Sequence, residues 1–161
     1  MLNIKLAQEI HYQEIWNIFH NIVKAGDTYV YDPNTTQEEA LAIWCSPIVT
    51  TYVATLDDKV MGTYIIKPNF PGLGSHIANC SYMVSDQARG LGVGRAMAEH
   101  SIKLAKELGF IAIQFNIVVS SNETAIKLWQ ALGFEIIGTT LKGFNHQKLG
   151  YIDSYIMYKS L

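Results

Sequence analysis

The chain has 161 residues, a net charge of −2 and a hydrophobic fraction of 49%, which predict one domain over residues 1–161 with a substantial core. It has no basic stripe and no apolar run as long as a membrane span, so neither nucleic acid nor a membrane is an expected partner. Cys45, Cys80 and the five histidines show no disulfide or metal-ligand spacing, so we expect a cytoplasmic protein without a metal.

The hydrophobic pattern predicts strands and helices that alternate along the chain. Alternating apolar and polar residues indicate a strand, and apolar residues three or four positions apart indicate a helix. Thr36 and Glu39 form a capping box for the second helix. About seven strands and four helices predict an α/β sheet with helices on its faces. The predicted strands are Leu2–Ala7, Thr50–Leu56, Val60–Lys67, His76–Ser85, Ile111–Val119, Phe134–Thr140 and Tyr151–Tyr158; the predicted helices lie around Ile15–Ile22, from Thr36 toward Cys45, at Val93–Leu108 and around Ala125–Leu132; loops are expected at Gly26–Thr35 and Lys142–Gly150.

The most informative segment is the glycine-rich run Gln87–Arg95, between a predicted strand and a predicted helix. Glycines at alternate positions, Gly90, Gly92 and Gly94, allow a close approach of backbone to ligand. The first amides of the following helix lack internal partners and lie at the positive end of its dipole. The run therefore predicts a phosphate or pyrophosphate site. A glycine turn without a ligand is the alternative, because the spacing fits neither the dinucleotide fingerprint nor the P-loop.

Two motifs in order resemble a known family. Gln87-x-x-Gly90-x-Gly92 is similar to the signature of the GCN5-related N-acetyltransferases, the GNAT superfamily. The segment Asn122–Phe134 resembles that family's next block, in which an asparagine opens a helix that ends in Gly-Phe. The resemblance covers most of the chain. It implies the GNAT fold, a mixed seven-stranded sheet with four helices that splays between strands 4 and 5, and acetyl-CoA as the co-substrate.

The resemblance also implies roles for individual residues. The glycine turn would cradle the pyrophosphate of acetyl-CoA, and the end of the preceding strand would pair with the pantetheine arm. The N–H of Val84 would polarise the thioester carbonyl, as an oxyanion hole does. Asn122 would contact the arm, and it is equally suited to be the N-cap of its helix. The residues expected to bind the cofactor are Tyr82, Met83, Val84, Gln87, Arg89, Gly90, Leu91, Gly92, Val93, Gly94, Arg95 and Asn122.

One position departs from the family pattern. Many members carry a tyrosine as general acid seven residues after the asparagine of the second block, and this chain has Trp129 there. An indole N–H is a hydrogen-bond donor that does not release its proton at ordinary pH. Either another group protonates the departing thiolate, or the thiolate leaves unprotonated. Core packing is the other interpretation of Trp129, which lies on the apolar stripe of its helix.

A closer resemblance concerns the acceptor. The runs 62–79 and 144–153 are similar to a fungal and bacterial subgroup that N-acetylates azetidine-2-carboxylate. The resemblance implies that Asn79 and Asn116, on adjacent central strands, serve substrate binding and catalysis. A buried Asn116 would need a hydrogen-bond partner or a purpose, whereas Asn79 has the alternative of bonding the backbone at a strand end. Tyr29 and Tyr31 fall on a loop that forms one wall of the acceptor pocket in the family, or that simply connects two helices. Tyr151 would line the same pocket from the C-terminal side.

The function expected from these features is transfer of an acetyl group from acetyl-CoA to the amine of a small molecule, such as an amino acid or a proline-like analogue. Two alternatives remain: a non-catalytic acyl-CoA sensor, which the missing tyrosine favours, and a protein-amine acetyltransferase, which an acidic groove would favour. The sequence shows no acidic cluster. It also leaves a homodimer open.

Overall fold

The computed structural model describes residues 1–161 and contains one seven-stranded sheet in the order β1-β2-β3-β4-β5-β7-β6. Only β4 and β5 run parallel to each other. The α/β class and the GNAT fold are therefore confirmed. No helix is long and apolar enough to cross a membrane. The strands are β1 Leu2–Leu6, β2 Thr50–Leu56, β3 Lys59–Pro68, β4 Ile77–Val84, β5 Ala112–Val119, β6 Glu135–His146 and β7 Gly150–Ser160; the helices are α1 Tyr12–Ala25, α2 Gln37–Trp44, α3 Val93–Glu107 and α4 Glu123–Ala131.

Two hydrophobic cores lie on opposite faces of the sheet. One core joins α1 and α2 to the sheet and contains Phe19, Trp44 and Met83. The other joins α3 and α4 to the opposite face and includes Phe115, with Tyr82 packed against it. Tyr82 and Met83 are adjacent on β4 and contribute to different cores because side chains alternate along a strand. The central strand β4 is therefore held firmly from both faces.

The predicted capping box opens α2. Thr36 Oγ1 accepts a hydrogen bond from the Glu39 N–H at 3.3 Å, and the Glu39 carboxylate accepts one from the Thr36 N–H at 2.8 Å. The preceding helix, α1, ends at Gly26, whose φ of +63° suits glycine. The stretch 26–36 between these two ends has no regular structure and carries Tyr29 and Tyr31.

The sheet opens between β4 and β5, as predicted. The two strands pair only at Ile77–Ala112 and Ala78–Ile113, although β4 continues to Val84 and β5 to Val119. On its other side β4 stays paired with β3, up to the pair of Gly62 with Val84. The result is a wedge-shaped gap in the middle of the sheet, one edge of which is β4.

The β3–β4 register determines which peptide groups of β4 face the gap. Ser85 donates to the Met61 carbonyl and Asn69 donates to the Ile77 carbonyl, both at 2.8 Å. In an antiparallel pair, alternate residues direct both peptide groups at the partner strand. The odd-numbered residues of β4 therefore bond β3, and the peptide groups of Tyr82 and Val84 point away from β3 into the gap.

The C-terminal hairpin differs from the prediction. The expected loop over Lys142–Gly150 is wrong, because β6 continues through it to His146 and the turn is only residues 147–149. Lys142 has a φ of +54°, and its N–H donates to Asp153 Oδ1 at 2.9 Å across a register shift in the β6–β7 ladder. The bulge absorbs the turn-like residues, so that the strand resumes after them.

Candidate active site

The gap between β4 and β5 forms a cleft of about 400 Å³. Its walls come from the end of α1 and the loop after it, from β4 and the start of the glycine turn, and from β5 and α4. Six residues of the expected site line this cleft: Tyr29, Tyr82, Met83, Val84, Arg89 and Asn122. Residues from four separate parts of the chain therefore meet where the sheet splays.

The glycine turn lies directly beside the end of β4. A side chain added at Gly94 would stand 3.5 Å from the Val84 side chain, so these two backbones pack closely. Gly90 and Gly92 have φ values of +77° and +73°, a region that favours glycine. A side chain added at either would meet no atom within 4 Å, so the space above the turn is open to a ligand.

The turn presents a row of unpaired backbone amides. The first helical hydrogen bond of α3 is donated by Ala96 to the Gly92 carbonyl at 3.0 Å. Two of the seven amides predicted as ligands are already engaged, since Arg89 donates to Asp86 and Leu91 donates to Ala88. Unpaired amides at a helix N-terminus suit a phosphate or pyrophosphate group. The five amides without an acceptor in the chain are those of Gly90, Gly92, Val93, Gly94 and Arg95.

The charged side chains of the turn are held only by exposed pairs. Exposed ion pairs of this kind contribute about 0–1 kcal/mol each. Either arginine can therefore exchange its carboxylate partner for a phosphate at small cost. The ion pairs are Arg89–Asp86 at 2.8 Å and Arg95–Glu99 at 2.9 Å. Gln87 is held by a hydrogen bond instead, which the Lys59 ammonium donates to its Oε1 at 2.5 Å.

Two of the β4 residues whose peptide groups face the gap, Tyr82 and Val84, differ in the partners of those groups. The Val84 N–H has none, because β5 has moved away and no side chain reaches it. The Tyr82 N–H donates to the Tyr29 hydroxyl at 2.9 Å, and the same hydroxyl donates to the Tyr82 carbonyl. Burial raises the pKa of Tyr29, against a smaller lowering by its hydrogen bond to Tyr82, so Tyr29 keeps its proton at neutral pH.

The Tyr82 side chain points into the α3 core and is not available as an acid. The Ser101 hydroxyl donates to the Ala98 carbonyl at 2.7 Å, so it accepts from the Tyr82 hydroxyl, which lies 2.7 Å away. Burial raises the pKa of Tyr82 well above its usual value, and the hydrogen bond to Ser101 lowers it by less. The Tyr82 proton is therefore held in the hydrogen bond to Ser101 inside the core.

Trp129 packs in the same aromatic cluster. Its ring lies 4.6 Å from Phe115 and 4.9 Å from Tyr82 between centroids, and the residue is 8% exposed. It also forms part of the cleft lining. The packing interpretation therefore accounts for this residue, and its indole borders the cleft as an apolar surface.

Asn122 is the N-cap of α4. Its side chain accepts from the Ala125 N–H at 3.3 Å, and its carbonyl accepts from the Ile126 N–H at 3.1 Å. Because Asn122 also lines the cleft, its amide N–H₂ group is available to a ligand.

Asn79 and Asn116 belong to one chain of amide groups. Asn79 Nδ2 donates to the backbone carbonyl of Gln114 at 3.0 Å, which is the backbone-bonding alternative for this residue. The Gln114 side chain donates through Nε2 to Asn116 Oδ1 at 3.1 Å, and Asn116 Nδ2 donates to Asn69 Oδ1 at 2.8 Å. The expectation of a buried Asn116 was wrong. Asn116 is exposed, because β4 and β5 are no longer paired at this position along β5. The sequence did not predict that Asn69 and Gln114 belong to this chain of amides. Gln114 could have been found, because it lies two residues before Asn116 and therefore on the same face of the strand.

A second cavity of about 470 Å³ lies between the α1–α2 loop and the β6–β7 hairpin. The two segments touch where Gln147 donates to the Gly26 carbonyl at 3.1 Å. Tyr29 and Tyr31 line this cavity, and burial raises the pKa of Tyr31. Tyr151 is 70% exposed and lines neither cavity.

Residues 13–134 match the model of the Acetyltransferase (GNAT) family, so the chain belongs to that family. It is accordingly an acetyl-CoA-dependent N-acetyltransferase. It is 33% identical to "N-acetyltransferase aca1" of Schizosaccharomyces pombe over 96% of this chain and 81% of that protein. The structure of a GCN5-related N-acetyltransferase from Kribbella flavida is 43% identical, with a TM-score of 0.95 over 99% and 98% of the two chains. A ribosomal-protein-alanine N-acetyltransferase from Brucella melitensis is 25% identical, with a TM-score of 0.83 over 99% of each chain.

Proposed function

We propose that the protein acetylates the amine of a small molecule of the amino-acid type, with azetidine-2-carboxylate and proline as the first candidates. One observation carries the acetyl-transfer part of the proposal: the unpaired Val84 N–H on the open edge of β4 lies beside the unpaired amides of the glycine turn. Acetyl-CoA requires both, since its pyrophosphate takes backbone amides and its thioester carbonyl takes a hydrogen-bond donor.

The residues of the cleft fit this co-substrate from end to end. The five unpaired amides of the glycine turn receive the pyrophosphate, and Arg89 and Arg95 add positive charge. The pantetheine arm runs along Tyr82 to Val84, with the Asn122 amide beside it. The Val84 N–H then stabilises the negative charge that develops on the carbonyl oxygen during attack.

The chain of amides supports a small zwitterionic acceptor. Each asparagine or glutamine side chain offers two N–H donors and one carbonyl acceptor. Asn79 and Asn116 can therefore hold both a carboxylate and an amine, while Asn69 and Gln114 fix their orientation. Tyr29 and Tyr31 form the opposite wall. Tyr151 belongs to the proposed set only as a residue of the rim, given its exposure.

The proton balance of the reaction needs no tyrosine at position 129. A thiol has an unperturbed pKa of about 8.5, so a thiolate is a tolerable leaving group near neutral pH. We assign the amine proton to the carboxylate of Asp27, which lines the cleft and has no hydrogen bond or ion pair with the rest of the chain. The other carboxylate of the lining, Asp86, is paired with Arg89.

The experiment is thiol release from acetyl-CoA with azetidine-2-carboxylate, proline, other amino acids, polyamines and peptides as acceptors. Turnover with a cyclic or small amino acid is expected. Turnover with peptide amines alone would place the protein with protein acetyltransferases, as the name of the Brucella relative describes that enzyme. Binding of acetyl-CoA without turnover of any acceptor would favour the sensor. A homodimer and a cytoplasmic location stay predictions.

A further inference from the structure

The Tyr29 hydroxyl is hydrogen-bonded to the peptide groups of β4 with which a bound co-substrate would pair. Its hydroxyl both accepts from the N–H and donates to the carbonyl of Tyr82, a residue whose peptide groups face the gap. We propose that the Tyr29 hydroxyl takes the place of acetyl-CoA on β4 in the free enzyme and is displaced when acetyl-CoA binds. This inference rests on the proposed use of the cleft for acetyl-CoA.

The hydrogen-bond pattern makes the two occupants mutually exclusive. A peptide group at the edge of a sheet offers one N–H and one carbonyl, and an amide of an adjacent chain satisfies both. A single hydroxyl does the same here, because an O–H group accepts and donates at once. While Tyr29 stays bound, the pantetheine arm cannot pair with the peptide groups of Tyr82. Displacement of Tyr29 restores the full row of peptide groups.

The surroundings of Tyr29 allow such a movement. The residue lies in the irregular stretch 26–36 between α1 and α2, and its ring stacks on Tyr31 with centroids 5.9 Å apart. Tyr29 lines both the cleft and the second cavity of about 470 Å³. The second cavity is therefore open space into which the ring can turn.

The test is the affinity for acetyl-CoA and for CoA, measured by titration calorimetry. Tyr29→Phe keeps the ring and removes the competing hydroxyl, so we expect tighter binding by about three- to tenfold, the size of a net hydrogen bond. Tyr12→Phe is the matched control, because Tyr12 lies on α1, lines neither cavity and has no hydrogen bond to β4, so the affinity of this variant should stay within about twofold of the wild type. Unchanged or weaker binding by Tyr29→Phe overturns the inference.

A second measurement uses the unaltered protein, so it does not depend on the folding of a variant. In a crystal structure of the wild type with CoA, the Tyr29 hydroxyl should lie beyond hydrogen-bonding distance of the Tyr82 nitrogen. A retained bond overturns the inference and leaves the proposed function intact. A wild type that fails to bind acetyl-CoA in the calorimeter overturns the proposed function itself, and the inference with it.

Discussion

The two halves of the sheet that border the gap differ in regularity. The half from β1 to β4 has one register shift, between Ala54 and Thr55 of β2. The half from β5 to β6 has three, one in its β5–β7 ladder and two in its β6–β7 ladder. The regular half presents a repeating row of backbone N–H and carbonyl groups. Such a row suits the pantetheine arm and pyrophosphate of acetyl-CoA, which are the same for every acceptor. The irregular half directs individual side chains, which suits an acceptor whose shape differs from one enzyme to the next.

The largest effect is expected from the glycine turn, at the regular edge. Gly92→Val places a branched side chain at a φ of +73°, in the open space above the unpaired amides. We expect a loss of acetyl-CoA affinity on the order of 100-fold, about 2.8 kcal/mol, because the side chain covers the phosphate position. Titration calorimetry measures this loss directly.

Gly72→Val is the matched control for backbone strain. Gly72 has a φ of +60° and open space around it, and it lies in the β3–β4 loop outside both cavities. Both variants should lose about 1–3 kcal/mol of unfolding free energy, and only Gly92→Val should lose affinity. Equal affinities in the two variants would remove the turn from the acetyl-CoA site.

The next largest effect concerns the irregular edge. Asn116→Ala breaks the amide chain between Gln114 and Asn69 and should lower kcat on the order of 100-fold, the effect of losing a donor that acts in the transition state. The affinity for acetyl-CoA should stay within about twofold, because the co-substrate binds the other edge. Asn17→Ala, an exposed asparagine on α1, is the control. A fall in affinity with unchanged kcat would assign Asn116 to the co-substrate instead.

A smaller effect is expected where the β6 bulge is held in place. Asp153→Ala leaves the Lys142 N–H without its acceptor and should lower the free energy of unfolding by about 1–2 kcal/mol. Lys142→Gly relieves the positive φ and keeps the hydrogen bond, so its stability should be equal or higher. Denaturant titration compares the two. Equal losses would mean that the bulge is held by packing rather than by Asp153.

The same contrast explains what could be predicted from the sequence. Strands and helices of the regular half follow from alternation, the capping box of Thr36 and the glycines, all of which are local signals. The glycine turn was predictable because glycine is strongly favoured where φ is positive. The continuation of β6 could not be predicted, because Lys142 and Gly143 are residues typical of a turn. The contact that restores the strand comes from Asp153, eleven residues away.

The amide chain was predictable only in part. Asn79 and Asn116 came from a resemblance, and their connection through Gln114 depends on how far β4 and β5 separate. Burial of Asn116 was wrongly expected because a run of apolar neighbours usually marks an enclosed strand. The contact of Tyr29 with Tyr82 joins residues 53 positions apart and had no sequence signal.

The smallest effect on kcat is expected at Trp129, which borders both halves. Trp129→Tyr restores the hydroxyl that many family members use as an acid, and Trp129→Phe removes the indole without adding one. Both variants lose part of the contacts with Tyr82 and Phe115, so each should lose about 1–3 kcal/mol of stability. If the thiolate leaves unprotonated, the two kcat values should agree within about threefold at pH 7, because the added hydroxyl has no proton transfer to accelerate. A kcat for Trp129→Tyr at least about tenfold above that of Trp129→Phe would show that protonation limits the rate. Trp129 would then lower the catalytic rate relative to tyrosine while its ring stabilises the aromatic core by packing.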